Sequence, residues 1–500
     1  AFGGLMSSDE SRGRELDVDV RVGDHNLDNT HPVRGDRLSF LSRDRHDSWA
    51  LAYTGDPGNL RNTLWAATDD GYQDAAKSYL VVKGNVAVKA QPEDASPDFS
   101  VEEPVQFLGA PAAIECKREA WEQRLRDWSA LFRRHAEILD GGVELQLTAT
   151  TRYLVSSDGA RIQTGREWLR LSFWGRVRAD DGMELRRFDS MDVAALESLP
   201  TDSEVRVRIQ KVIDDLLALR RAPVATAYIG PAILGGRAAG VFFHEVFGHR
   251  VEGHRQKDDE EGQTFVKAMN RMVMPDFMDV YDDPTAARIA GMDVNGHYQV
   301  DDEGVLSRKV DLVQGGVLKG FLMSRSPVHG FDHSNGHGRR QVGQIIVARQ
   351  GNLVVHPRRV VPAAELWTRL RNEIKAQGKA YGLFFEVVEG GYTQTRRFDT
   401  QGFTVFPVMV YRVYPDGHRE LVRGARLDGT PLAALTQIEA AGDDPDVFNG
   451  FCGAESGFVP VAAVSPSLLL QRVEIARTPS DADSAPILAP PGEQLRRGGP

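Results

Sequence analysis

Residues 144–154 read ELQLTATTRYL and residues 167–177 read EWLRLSFWGRV, with Asp158-Gly159 between them. Both runs are strand-like in length and composition, and an Asp-Gly pair between two such runs is a hairpin signal. Upstream, Ile114, Trp121, Leu125, Trp128, Phe132 and Leu139 recur at helical spacing, with Lys, Arg and Glu between them. The pattern predicts a long amphipathic helix stopped by Gly141-Gly142. Downstream, Val205, Ile209, Val212, Ile213 and Leu216 share one face of a second helix. Helix, strands, helix is an α+β layer arrangement, so residues 1–222 are expected to form an N-terminal α+β domain.

Nearer the start, Leu16, Val18, Val20 and Val22 alternate with Glu15, Asp17, Asp19 and Arg21, which predicts a half-buried strand over residues 14–23. A strand so early makes a trimmed N-terminus the expectation. The opening AFGGLMSSDE has no initiator Met and no basic segment before an apolar core, so a targeting peptide is expected to be absent or removed. From Pro223 the chain is glycine-rich and mostly strand-like, with helical stretches at 240–253 and 363–376. Residues 223–478 are therefore expected to form a mainly antiparallel β domain carrying the first of these helices, and residues 479–500 a disordered tail.

Composition narrows the function classes. In 500 residues, 41% hydrophobic and 26% charged content describes a folded chain rather than a disordered one. Sixty Lys+Arg against 71 Asp+Glu, a formal charge of -11, argues against an electrostatic grip on nucleic acid or anionic lipid. No run of roughly 18 apolar residues marks a membrane span. Cys116 and Cys452 are too few for a disulfide framework or a four-cysteine zinc module.

The segment with the strongest chemistry is 240–254, GVFFHEVFGHRVEGH. Two neutral imidazoles on one helix can hold a metal ion while an adjacent carboxylate takes a proton from the water it activates. Histidines four apart are offset by about 40° around a helix, whereas five apart they splay by roughly 140°. His244 and His249 can both reach one metal if the helix is locally widened, and Gly248 would tolerate such a π-type turn, so the spacing predicts a bulge. The plain alternative is two unrelated residues on a partly buried helix. A catalytic zinc takes three protein ligands, and Glu252, His254 and Cys452 are the candidates for the third. His254, five residues past His249, turns away from the pair, and Glu252 is better placed to accept an imidazole N–H. Cys452 is expected in a glycine-flanked loop, Gly450-Phe451-Cys452-Gly453, where backbone could approach a metal closely, although a lone cysteine is more often a small buried hydrophobe.

These motifs, together with Asp302-Glu303-Gly304, residues 315–320 with Leu318-Lys319, Gly336-His337-Gly338-Arg339-Arg340, residues 411–416 and Phe451-Cys452-Gly453 followed by Val459-Pro460-Val461, occur in one order. In them the chain resembles the TldD/PmbA family of metallopeptidases, and specifically its TldD-type, metal-binding member. The resemblance implies Zn2+ held by His244, His249 and Cys452, with Glu245 as general base. It further implies hydrolysis of small or unfolded peptides in an enclosed cavity, a homodimer or a heterodimer with a TldE-like subunit, and a cytoplasmic setting, with an exported form as the alternative that a trimmed N-terminus leaves open. Where the family commonly has Asp after Glu252-Gly253, this chain has His254. The competing class is a non-catalytic binding or scaffold subunit of a TldD/TldE-like complex, and a weaker third is a hydrolase of non-peptide amides.

Arg339 and Arg340 could grip a peptide carboxylate, although a surface turn with solvated charges is the favoured reading of that loop. His329, His333 and His337 are expected to be ordinary loop histidines, residues 258–261 an exposed acidic loop, and Cys116 structural.

Overall fold

In the computed structural model, which describes residues 2–31, 48–52, 55–87, 96–257, 261–397 and 401–478, the hairpin at Asp158-Gly159 is present, with Gly159 at a φ of +105 that suits glycine. The first part of the chain comprises helix α1 (Pro57–Val86), strand β1 (Gln106–Leu108), helix α2 (Arg118–Ser129), strands β2 (Ile138–Val155), β3 (Arg161–Arg178) and β4 (Glu184–Val193), and helix α3 (Asp202–Arg221). Strand β3 pairs antiparallel with β2 along its whole length, and its other edge takes β4 antiparallel and β1 parallel. One face of this sheet buries Leu171, Phe173 and Val177 against Trp128 of α2 and Val205, Ile209, Val212 and Leu216 of α3. Thr201 and Glu204 cap α3 reciprocally, which fixes where it starts.

Two expectations change here. The helix over residues 114–139 ends at Ser129 and passes through a 3-10 turn, Ala130–Arg134, while Gly141 and Gly142 lie inside β2. A Cβ at Gly141 would stand 2.8 Å from the Trp174 carbonyl, so this glycine serves close strand approach rather than a helix stop. The strand over residues 14–23 shrinks to Glu15–Leu16, paired with Trp49–Ala50. The rest of it is an extended strap, because Asp17 and Asp19 turn to Arg340 and Val20 packs against Gly71 of α1.

The second part begins with strand β5 (Tyr228–Leu234) and helix α4 (Gly236–Val246). It continues through β6 (Met278–Asp282), β7 (Val310–Gln314), β8 (Val317–Leu318), β9 (Asn352–Pro357), α5 (Ala363–Ala376), β10 (Gly382–Thr393), β11 (Phe403–Val413), β12 (Arg419–Val422), β13 (Ala425–Gly429), β14 (Ile438–Ala441), β15 (Asp446–Ala454), β16 (Gly457–Ser465) and β17 (Leu468–Arg477). One sheet runs β8-β7-β6-β9-β16-β15, and the other runs β10-β5-β17-β13-β11-β12 with β14 on β17. Because β10 also pairs β11, five strands of the second sheet close into a ring, a barrel-like arrangement. Pairing is antiparallel except for β5–β10 and β9–β16, so the fold is α+β with a mainly antiparallel second part, as expected.

Helix α4 is buried along its length between the ring and the other sheet, against β10, β11, β15 and β16. Small residues permit this: a Cβ at Gly236 or Gly240 would come within 2.7 or 2.8 Å of the carbonyls of Ser465 and Ala463. No described helix is long and apolar enough to cross a membrane. The tail 479–500 and most of the acidic stretch 258–261 lie outside the described residues.

Candidate metal centre

The five-residue spacing between the histidines is accommodated differently from a π bulge. Helix α4 stops at Val246, Phe247 takes φ -118 and ψ -51, and the chain resumes as a 3-10 turn, Gly248–Val251. The break rotates His249 back toward His244, so that the two rings lie 4.9 Å apart between centroids at 79°. Gly248 keeps an ordinary φ, and its role is space: a Cβ there would stand 1.9 Å from the Gln350 side-chain oxygen. Arg250 ties the turn to β10, donating to the Glu245 carbonyl (2.9 Å), Thr393 Oγ1 (2.7 Å) and the Gln394 carbonyl (3.0 Å).

Cys452 is a strand residue in β15, opposite Val459, not a loop residue. Its Sγ lies 3.1 Å from His244 Nε2 and 3.2 Å from His249 Nε2, across 208 and 203 residues of sequence. Among the described residues this is the one group of three His, Cys, Asp or Glu side chains close enough to share a metal ion. Burial pushes the Cys452 thiol up, but His249, His244 and Arg349 outweigh it and hold the group well below the ordinary thiol range. Burial likewise pulls both imidazoles down, and the Cys452 charge, joined at His249 by Glu252, raises them in spite of it. A deprotonated thiolate beside two imidazoles is a zinc donor set, and the separations approach the edge of about 3.5 Å spanned by N and S in a tetrahedral zinc site. The residues therefore fit the ion.

Glu245 is buried, and that burial raises its carboxyl against the pull of His244 and His249. Its Oε2 has no hydrogen-bond partner among the described residues. Gly391 of β10 makes room for it: a Cβ there would stand 2.7 Å from Glu245 Cγ.

Behind the two histidines, Glu252 Oε2 meets His249 Nδ1 at 3.2 Å and Arg255 Nε at 2.8 Å. Burial alone would raise Glu252, but His249 and Arg255 hold it below the usual carboxylate range. His254 is turned away and pairs with Glu455. Arg339 and Arg340 are not solvated turn residues. Buried Arg339 donates to the Gln350 carbonyl (2.6 Å) and stacks on Tyr298, and Arg340 pairs with Asp19 (2.9 Å) and Asp17 (3.3 Å). His337 is fully buried against Asp282, unlike exposed His329 and His333. Sequence reasoning missed Arg349, Gln350 and Gly391; a polar Arg-Gln pair between the apolar stretches 345–348 and 353–355 and a Gly-Gly in a strand pattern were the available signals.

A cavity of about 4060 Å³ is lined by the strap, α1 and β2, with His254, Arg339, Arg340, Val459 and Pro460 on its wall. His244, Glu245, His249 and Cys452 do not line it.

Residues 228–477 match the PmbA/TldA metallopeptidase C-terminal domain. The chain is 28% identical over 281 residues to a metalloprotease of Archaeoglobus fulgidus, covering 56% of this chain and 60% of the relative. It is 25% identical over 279 residues to a zinc metalloprotease TldD homolog of Saccharolobus solfataricus, covering 55% and 56%. The chain thus spans somewhat over half the length of these relatives. In fold it is similar to TldE from Thermococcus kodakarensis, with a TM-score of 0.56 at 16% identity over 87% of this chain and 88% of that one. The matched domain makes up half of the sequence and contains both histidines and the cysteine, and the chain accordingly belongs to the TldD/PmbA family of metallopeptidases.

Proposed function

We propose that this chain is a zinc-dependent peptidase of small or unfolded peptides, with His244, His249 and Cys452 as metal ligands and Glu245 as general base. The observation that carries the reading is the approach of both Nε2 atoms to one sulfur, at 3.1 and 3.2 Å, by residues from distant parts of the chain. A zinc ion bound there supplies Lewis-acid polarisation and a more acidic water. Glu245 holds the proton at its carboxylate and passes it to the leaving amine; a carboxyl raised by burial suits both halves of that task. Glu252 fixes the His249 ring by accepting at Nδ1, leaving Nε2 for the ion.

An extended peptide is favoured by β2, an 18-residue strand that lines the cavity and pairs with β3 alone among the described strands. Its outer edge offers backbone groups to an added strand, a sequence-independent grip. The assembly proposed is a dimer, with a second copy or with a TldE-like subunit, and the setting proposed is the cytoplasm.

Metal analysis with peptide hydrolysis by wild type and Glu245→Gln, each assayed alone and with a TldE-like subunit, tests the reading. Zinc in both and hydrolysis lost only in the variant supports it. Zinc-free protein, or no hydrolysis by wild type in either setting, points to the non-catalytic subunit.

A further inference from the structure

We propose that Arg349 is a positioning residue that couples the thiolate arm of the metal centre to its imidazole arm, an inference that rests on the zinc reading above. Its side chain is wholly inaccessible, and burying a guanidinium is costly unless its donors are used. Nη2 donates to the Cys452 carbonyl at 2.7 Å, and Nη1 donates to Ser456 Oγ at 2.6 Å and to the Gly457 carbonyl at 3.1 Å. Those acceptors span the turn between β15 and β16, so one planar fork fixes the end of the hairpin from which the sulfur projects.

The other edge of the same group faces Glu252. Arg349 Nε and Glu252 Oε1 stand 3.5 Å apart, and neither atom has a hydrogen bond among the described residues. Glu252 Oε2 in turn meets His249 Nδ1 at 3.2 Å. Cys452 backbone, Arg349, Glu252 and His249 therefore form one continuous chain of contacts behind the ligands. Arg349 is itself anchored, since its N–H donates to the His337 carbonyl at 2.9 Å. A lysine could keep the charge but not the fork, because its single ammonium cannot reach three acceptors and a carboxylate in fixed directions. The arrangement holds sulfur and imidazole together before any ion enters, and so lowers the ordering cost of binding one.

Three readouts test the role: zinc affinity by chelator competition, the thiolate-to-metal absorption band of cobalt-loaded protein, and the melting temperature of metal-free protein. For Arg349→Lys the expected result is zinc binding about 10–100-fold weaker and a diminished thiolate band, in metal-free protein that still folds but melts below wild type because acceptors are left unpaired. A second comparison guards against misfolding from an orphaned charge. Arg349→Met combined with Glu252→Gln removes both charges, and relative to Glu252→Gln alone it should bind zinc about tenfold more weakly. Equal affinity in that pair, or a folded Arg349→Lys with wild-type affinity and band, overturns the proposal. A wild-type protein with no thiolate band on cobalt loading fails the zinc reading itself and takes the proposal with it.

Discussion

Gly391 of β10 lies against the side chain of Glu245 so closely that a Cβ at position 391 would stand 2.7 Å from Glu245 Cγ and 2.7 Å from the Thr404 carbonyl. Backbone on one side cannot yield, so the carboxylate must. Gly391→Ala should displace Glu245 and lower kcat for peptide hydrolysis by about 10²-fold, the scale set by a misplacement near 1 Å. Zinc content should stay at the wild-type level. Unchanged kcat would show that the carboxylate position does not matter to the reaction.

Gly248 poses the same steric question on the other side of the helix break. A Cβ there would meet the buried Gln350 amide at 1.9 Å, and neither Gln350 Oε1 nor Nε2 has a hydrogen-bond partner among the described residues. Gly248→Ala should destabilise the fold by about 1–3 kcal/mol, the usual cost of overpacking, and calorimetric melting checks it. A variant as stable as wild type would mean that Gln350 can swing clear.

The strap depends on Arg340, whose guanidinium takes Asp17 and Asp19 while Asp17 Oδ2 also accepts from Gly343 N–H at 2.8 Å. Arg340→Ala should lower the opening free energy of the strap around Glu15–Asp19 by about 1–3 kcal/mol, the range for hydrogen bonds to charged groups. Hydrogen exchange of residues 15–23, compared with β3 as an internal reference, reads this directly. Equal protection in the variant would place the anchorage elsewhere.

Partly buried Glu303, whose Oε2 accepts from the Arg325 N–H, is pushed up to about 7 by burial and then by Asp301 beside it. The folded chain thus holds this proton more tightly than the unfolded chain, where a glutamate titrates near about 4.3. The stabilising contribution is complete below that value and is lost as pH rises through about 7. The melting temperature of wild type relative to Glu303→Gln should therefore fall between about pH 5 and pH 8. A constant difference over that range would contradict the assignment.

Legibility followed distance along the chain. The faces of α3 and the Asp158-Gly159 hairpin are local patterns, and the structure keeps both. The 244–249 spacing foretold a distortion but not its form, since a helix break at Phe247 and a bulge satisfy the same arithmetic. Cys452 was beyond any periodicity, because a contact 203 residues away leaves no spacing to read, and only the family resemblance pointed to it. Arg340 looked solvated for the same reason: its partners, Asp17 and Asp19, lie at the other end of the chain. Alternation at 15–22 marked side chains that divide between Arg340 and α1, a two-sided environment that mimics a strand pattern without strand pairing.

X-ray absorption at the zinc edge of the purified protein reads directly whether two imidazoles and one thiolate share a zinc ion. The expected spectrum has one sulfur at about 2.3 Å with nitrogen and oxygen neighbours at about 2.0–2.2 Å, and loses the sulfur shell in Cys452→Ser. Zinc surrounded by nitrogen and oxygen alone in the wild type would contradict it.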